Sequence, residues 1–366
     1  MVNRWESSDS EDDTSSSQRP QKKQRVQLES GTPMSVSSVP NPKLSLALSA
    51  SSRSVDLYER LNKIDEGSYG IVWRAREKST NEIVALKQVK FPSDITKEGF
   101  PLAPFREINV LRSLSHPNIL NVKEMVVGGD ASKCFMVMEC MEMDLRDAVD
   151  NLTEPLTQGE LKHVIRQVLS AMEHMHSRFF FHRDMKTSNI LVHKSGKISV
   201  CDFGLARTFD DPRRNSYTPL VITLAYRPPE LLMGTNTYGP EVDMWSVGCI
   251  FAELILREQL FVGNGELDQL SKIFGCLGAP SENNWEGFSK LKHAGALRWN
   301  GPKVSKLGKL FPANAFSGKT FLDQAGFVLL EKMLTMDPKK RISAIEAVDD
   351  CYFTSAPLPT EVRWNI

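Results

Sequence analysis

Cysteine is scarce and scattered in this chain of 366 residues: Cys134, Cys140, Cys201, Cys249, Cys276 and Cys351 include no C-x-x-C pair. That spacing excludes a disulfide framework and a structural zinc site, and reads as small buried hydrophobes of a reducing compartment. Net charge is missing as well, because 45 Lys plus Arg stand against 45 Asp plus Glu. No chain-wide field would draw the protein onto nucleic acid or an anionic membrane. No stretch approaches the roughly 18 uninterrupted apolar residues of a spanning helix, and the acidic, Ser-rich start does not form a basic-then-apolar signal peptide. The expectation is a soluble intracellular protein without a membrane or direct nucleic-acid partner.

Trp5 is the one aromatic residue before Ser54, in a stretch dominated by Ser, Pro, Asp, Glu, Gln and Lys. Residues 1–54 cannot bury enough apolar area to offset their conformational entropy and read as a disordered tail. Within it, Ser8 to Asp13 is an acidic cluster around two serines, and Arg19 to Arg25 is a basic cluster that suits either a nuclear-import address or a solvated charge run. From Val55 the pattern changes. Polar residues alternate with β-branched and aromatic ones through Tyr58–Ile64, Ile71–Arg76 and Ile83–Val89, which predicts antiparallel strands. Phe105, Ile108, Leu111 and Leu114 fall on one helical face, and Cys134–Met138 reads as a buried strand. After Met141 helical spacing dominates, in Gly159–His176, Val242–Leu256 and Gly326–Met333. The fold class is α+β: a strand-rich lobe, a helical lobe, and a crevice between them as the default ligand site.

The chemistry-bearing residues come in a fixed order. Ile64-Asp65-Glu66-Gly67-Ser68-Tyr69-Gly70-Ile71-Val72 places glycines where backbone amides approach a phosphate without an intervening Cβ. Val84-Ala85-Leu86-Lys87 puts one ammonium on an apolar strand, and Glu107 follows on the helix as its partner. His182-Arg183-Asp184-Met185-Lys186-Thr187-Ser188-Asn189 precedes Cys201-Asp202-Phe203-Gly204. Together these motifs resemble a protein kinase over residues 58–353.

The resemblance implies a two-lobed kinase fold, with an N-lobe at 58–138, a C-lobe at 142–353 and a C-terminal extension at 354–366. It implies ATP and Mg²⁺ as cofactors. Lys87 would hold the α/β-phosphates and pair with Glu107, Asp184 would accept the proton of the substrate hydroxyl, and Lys186 would stabilise the transferring phosphoryl group. Asn189 and Asp202 would hold the metal. Ile64, Gly67, Gly70, Val72, Ala85, Glu139, Met141, Asp144 and Leu191 complete the implied nucleotide site, with Met138 behind the adenine. Asp243 would brace the catalytic loop, and Arg341 would pair with Glu230.

Pro101 to Glu107, Gly263 to Leu270, Leu277 to Phe288 and Tyr217 to Leu224 are similar to the PITSLRE form of the cyclin-dependent kinases. This implies a cyclin partner, of L or M type, that pushes Glu107 toward Lys87. It also implies an activating kinase for Thr218, whose phosphate would gather Arg106, Arg183 and Arg207. Ser68 and Tyr69 stand where relatives carry inhibitory phosphates. Protein substrates with Pro after the acceptor and a nuclear location follow from the same likeness. Three positions depart from the family pattern: Asp65 for the first loop glycine, Ala225 for a tryptophan, and Pro228 for an alanine. They leave a second reading open, a weakly catalytic scaffold that binds a cyclin.

Overall fold

The structure is a computed structural model that describes residues 52–67, 70–89, 102–129, 133–209, 216–218, 221–296, 299–312 and 321–364. The tail expectation for residues 1–51, with its acidic and basic clusters, lies outside them, as do Ser68, Tyr69 and the Arg106 side chain.

The N-terminal part is built on a six-stranded sheet: β1 (Arg53–Ser54), β2 (Tyr58–Gly67), β3 (Gly70–Glu77), β4 (Ile83–Val89), β5 (Val122–Val127) and β6 (Cys134–Glu139), in the order β1-β5-β6-β4-β3-β2. Alternation decides what each face buries. Val84, Leu86, Phe135 and Val137 join Tyr58, Ala75 and Val126 in a small outer core, over which the Arg60 guanidinium stacks on Trp73 at 4.5 Å. The opposite face carries Ala85, Val89, Cys134, Met136 and Met138 into the main core, together with Val110 and Leu111 of α1 (Leu102–Ser113) and Leu114 just after it. Burial on both faces is why Cys134–Met138 reads as an unbroken apolar run.

The tail was expected to run through Ser54, and here the structure differs. Arg53 and Ser54 form a parallel edge strand opposite Val126 and Val127. Arg53 reaches Glu77 at 2.5 Å and Glu124 at 3.1 Å, and Ser54 caps the turn Val55–Leu57 by accepting from the Asp56 N–H. Two carboxylates, Glu124 on the neighbouring strand β5 and Glu77 at the end of β3, hold a segment whose composition alone would leave it loose.

The C-terminal part contains β7 (Met143–Asp144), α2 (Leu145–Asp150), α3 (Gln158–His176), β8 (Phe180–Phe181), β9 (Ile190–Val192), β10 (Ile198–Val200), β11 (Arg207–Thr208), α4 (Pro229–Leu232), α5 (Glu241–Leu256), α6 (Glu266–Leu277), α7 (Leu307–Leu310), α8 (Gln324–Met333) and α9 (Ala344–Val348). Thr157 and Glu160 start α3 with a reciprocal capping box, and Leu161, Val164, Ile165, Val168, Leu169, Met172 and Met175 line its buried face. α5 is buried all round from Val242 to Ile255, where the sequence pattern predicts one apolar face, and its buried carboxylates Asp243 and Glu253 are held by hydrogen bonds. Lys162 of α3 is fully buried and donates to the Ser355 carbonyl at 2.9 Å, so the chain end beyond residue 354 returns onto this helix. No helix among the described residues is long and apolar enough to cross a membrane.

Candidate active site

Lys87 shares a strand face with Ala85 and Val89, the face toward α1. From α1, Glu107 meets its ammonium at 2.6 Å, with both side chains largely buried. Burial alone would lower the Lys87 pKa, but Glu107 and then Asp202 reverse that, so its ammonium form persists above the ordinary lysine range. The pair is formed, with α1 seated against the sheet.

The segment from His182 to Asn189 is held by a carboxylate from α5. Fully buried Asp243 accepts from the His182 N–H at 2.7 Å and the Arg183 N–H at 2.8 Å, while His176 Nε2 donates to it at 3.0 Å. Burial works against its charge, yet these donors keep its carboxyl below the ordinary aspartate value. Arg183 adopts φ +69°, the left-handed turn that lets consecutive N–H groups converge. His182 Nε2 donates to the Cys201 carbonyl at 2.9 Å and its Nδ1 accepts from the Asp184 N–H, which selects the neutral Nε2–H tautomer.

Asp184 is reached from three sides. Lys186 donates to Oδ2 at 2.9 Å, Asn189 Nδ2 at 3.2 Å, and Thr223 supplies its N–H at 3.1 Å and its hydroxyl at 2.9 Å to Oδ1. Burial raises the carboxyl, but Lys186 and Thr223 overcome it and hold it below the usual carboxylate range. Asp202 follows β10 at φ +60°, and Phe203 is buried with its ring 5.1 Å from that of His182.

On the nucleotide side, Val72 and Leu191 are half-buried, while Ala85, Met138 and Met141 are buried. Gly67 ends β2, and Ile64 is exposed. Gly70 has φ +144°, and a Cβ there would lie 2.1 Å from the Gln88 carbonyl oxygen, so only glycine fits. Asp65 is exposed and accepts from the Glu66 N–H, so against a phosphate its charge is worth about 1 kcal/mol, the value for bulk water near 4 Å. Asp144 has a structural use beyond the expected one: it caps α2 by accepting from the Asp147 N–H at 2.9 Å, and burial raises its pKa.

Thr218 is exposed, and its carbonyl accepts from Tyr238 Oη, which in turn accepts from Arg183 Nη1 at 3.0 Å. Arg207 donates to the Ala206 carbonyl. Ile222, a β-branched residue, sits at φ +67°, and its carbonyl is occupied by Arg227 Nε at 3.1 Å and Nη2 at 3.0 Å. Half-buried Ala225 and buried Pro228 flank this turn. Arg341 clamps Glu230 with two bonds of 2.7 and 2.9 Å.

Sequence reading had not singled out Thr223 or the buried group around Glu253. Glu253 accepts from Tyr226 Oη at 2.6 Å, from Arg146 at 2.8 Å and from Thr187 at 3.2 Å. These contacts join positions far apart in the chain, where no local pattern marks them.

A protein kinase domain model matches residues 58–353. Over 307 residues the chain is 49% identical to "Cyclin-dependent kinase G-2" of Oryza sativa subsp. indica, covering 84% of this chain and 43% of that protein. The chain belongs to the cyclin-dependent protein kinases. This kinase is also 43% identical over 309 residues to "Cyclin-dependent kinase 11B" of Rattus norvegicus, covering 84% of this chain and 69% of the other. A solved structure, "Crystal Structure of the yeast RNA Pol II CTD kinase CTDK-1 complex", contains a chain that matches with a TM-score of 0.75 and 34% identity, over 85% of the kinase and 97% of that chain. The kinase spans less than half the length of several curated relatives it matches.

Proposed function

We propose that the chain is a cyclin-dependent kinase that transfers the γ-phosphate of ATP to Ser or Thr of proteins in transcription, pre-mRNA processing or cell-cycle control. The observation that carries this reading is the assembled set of Lys87–Glu107, Asp184 with Lys186 and Asn189, and Asp202 close enough to favour the charged form of Lys87. Phosphoryl transfer needs positioning and charge neutralisation more than covalent chemistry. Lys87 binds the α/β-phosphates. Asp184 orients the substrate hydroxyl and takes its proton, the hydroxyl replacing one of the four donors that now fill its two oxygens. Lys186 draws charge off the transferring phosphoryl group.

Asn189 and Asp202 fit a Mg²⁺ ion. Asn189 uses its amide N–H on the Asp184 carbonyl at 2.7 Å, which leaves its oxygen to join the Asp202 carboxylate in an oxygen-only donor set. When bound, the ion neutralises phosphate charge.

An L-type or M-type cyclin would stabilise the seated α1. Phosphorylation of Thr218 by an activating kinase would set a charge of about −2 near Arg183 and Arg207 and fix the substrate platform. The nucleus is the proposed location.

Ile222 gives the reading a substrate preference. Because Arg227 already occupies its carbonyl, the residue after the phosphoacceptor finds no acceptor there for its N–H. Proline has no N–H to leave unsatisfied. In a peptide library, Pro after Ser/Thr should be favoured by about tenfold or more, the cost of one stranded N–H. Equal use of all residues at that position would refute the preference and point to Ala225 and Pro228 as its cause.

A further inference from the structure

Glu139 ends β6, and its backbone belongs to the segment joining the two lobes, against which the adenine is proposed to lie. Its side chain turns to the rear. There Lys197, in the turn between β9 and β10, donates to both carboxylate oxygens, at 2.8 Å to Oε1 and 2.6 Å to Oε2. The two side chains are 30% and 29% exposed, so solvent screens the pair only in part. Contact with both oxygens fixes the direction of the carboxylate, which one bond would not.

The pair ends a row of fastenings along the back of the crevice. Asn118 Nδ2 donates to the Ile198 carbonyl at 2.9 Å and to Gln167 Oε1 at 2.8 Å. Leu120 N–H donates to the Val200 carbonyl, and Val200 N–H to the Asn118 carbonyl, both at 2.9 Å. These bonds stitch the chain after α1 to β10 of the helical lobe. Asn121 then accepts from the Glu139 N–H at 3.2 Å. A cavity of ≈ 470 Å³, lined in part by Glu82, His116, Asn121, Lys123, Glu139 and Lys197, opens at this face.

We propose that Lys197 is a positioning residue for the nucleotide. By gripping Glu139 from the helical lobe, it fixes the joining backbone in the attitude that receives adenine. The proposal rests on the kinase reading above. Asp184, Lys186 and Asn189 are held through Asp243 and Thr223 rather than through Lys197, so its loss weakens nucleotide binding without changing the transfer step.

The test uses the full chain purified with its bound cyclin, as wild type, Lys197→Met, Lys197→Glu and the charge swap Lys197→Glu/Glu139→Lys. In Lys197→Met, KM and Kd for ATP rise about threefold, the size expected of a partly exposed pair. They rise further in Lys197→Glu and return toward wild type in the swap, while kcat and melting temperature stay level in the two single Lys197 variants. Unchanged KM and Kd in Lys197→Glu, with wild-type transfer intact, would overturn the proposal. So would kcat and melting temperature falling together without recovery in the swap, which marks a general contribution to folding. No transfer by the wild type with cyclin bound would overturn the kinase reading, and this inference with it.

Discussion

Asp184→Asn lowers phosphate transfer by about 10²- to 10⁴-fold, the contribution of a positioned general base, while ATP affinity changes little. Asparagine keeps the shape of the side chain and an oxygen for the Thr223 donors. It loses the charge that pairs with Lys186 and the capacity to take a proton. Because the folded-state pKa of Asp184 lies below its ordinary value, the ionised form and the stability it brings are fully present above the unfolded aspartate range. They fade only as pH falls through the depressed pKa. Loss of activity between about pH 5 and 6 would therefore come from another group, since an unperturbed aspartate already titrates near 3.9. Single-turnover assays and direct ATP binding separate the two effects. Transfer by Asp184→Asn within threefold of wild type would contradict the proposed role.

Arg341→Met destabilises the fold by about 3–5 kcal/mol, because it strands a buried carboxylate. Glu230 and Arg341 have side chains only 2% and 0% exposed, and the guanidinium also donates to the carbonyls of Glu241 at 2.8 Å and Thr335 at 3.0 Å. Removing one partner leaves the Glu230 charge without compensation in an apolar setting. Glu230→Leu combined with Arg341→Met removes both charges and should recover a large part of the loss, though not the bonds to the two carbonyls. Denaturant titration of the two variants distinguishes these results. A double variant no more stable than Arg341→Met would show that the carbonyl bonds, rather than the ion pair, carry the cost.

Much of the fold was legible because period-2 alternation marks β3 and β4 and three-four spacing marks α3, α5 and α8. β5 was harder: Lys123 and Glu124 interrupt its apolar residues, and it becomes a strand by lying between β1 and β6. β1 was invisible for a related reason, since Arg53 and Ser54 have no strand character until Glu77 and Glu124 arrive from distant segments.

The candidate site was readable where its residues cluster in sequence, as in His182 to Asn189. It was not readable where a side chain comes from afar. Thr223 touches Asp184 from 39 residues away, and Lys197 reaches Glu139 across 58. Ile222 shows the limit of composition, because a β-branched residue at positive φ runs against local preference and is held there by Arg227.

The central claim is transfer of phosphate from ATP to protein Ser or Thr by the cyclin-bound chain. Its most direct test is ATP-dependent phosphorylation of a Ser/Thr-Pro peptide by the full chain purified with its co-purifying partners, beside an Asp202→Asn control, with the partners identified by mass spectrometry. The account predicts transfer in the presence of a cyclin and its loss in the control. ATP binding without transfer, by a chain with cyclin bound and Thr218 phosphorylated, would contradict it and favour the scaffold reading.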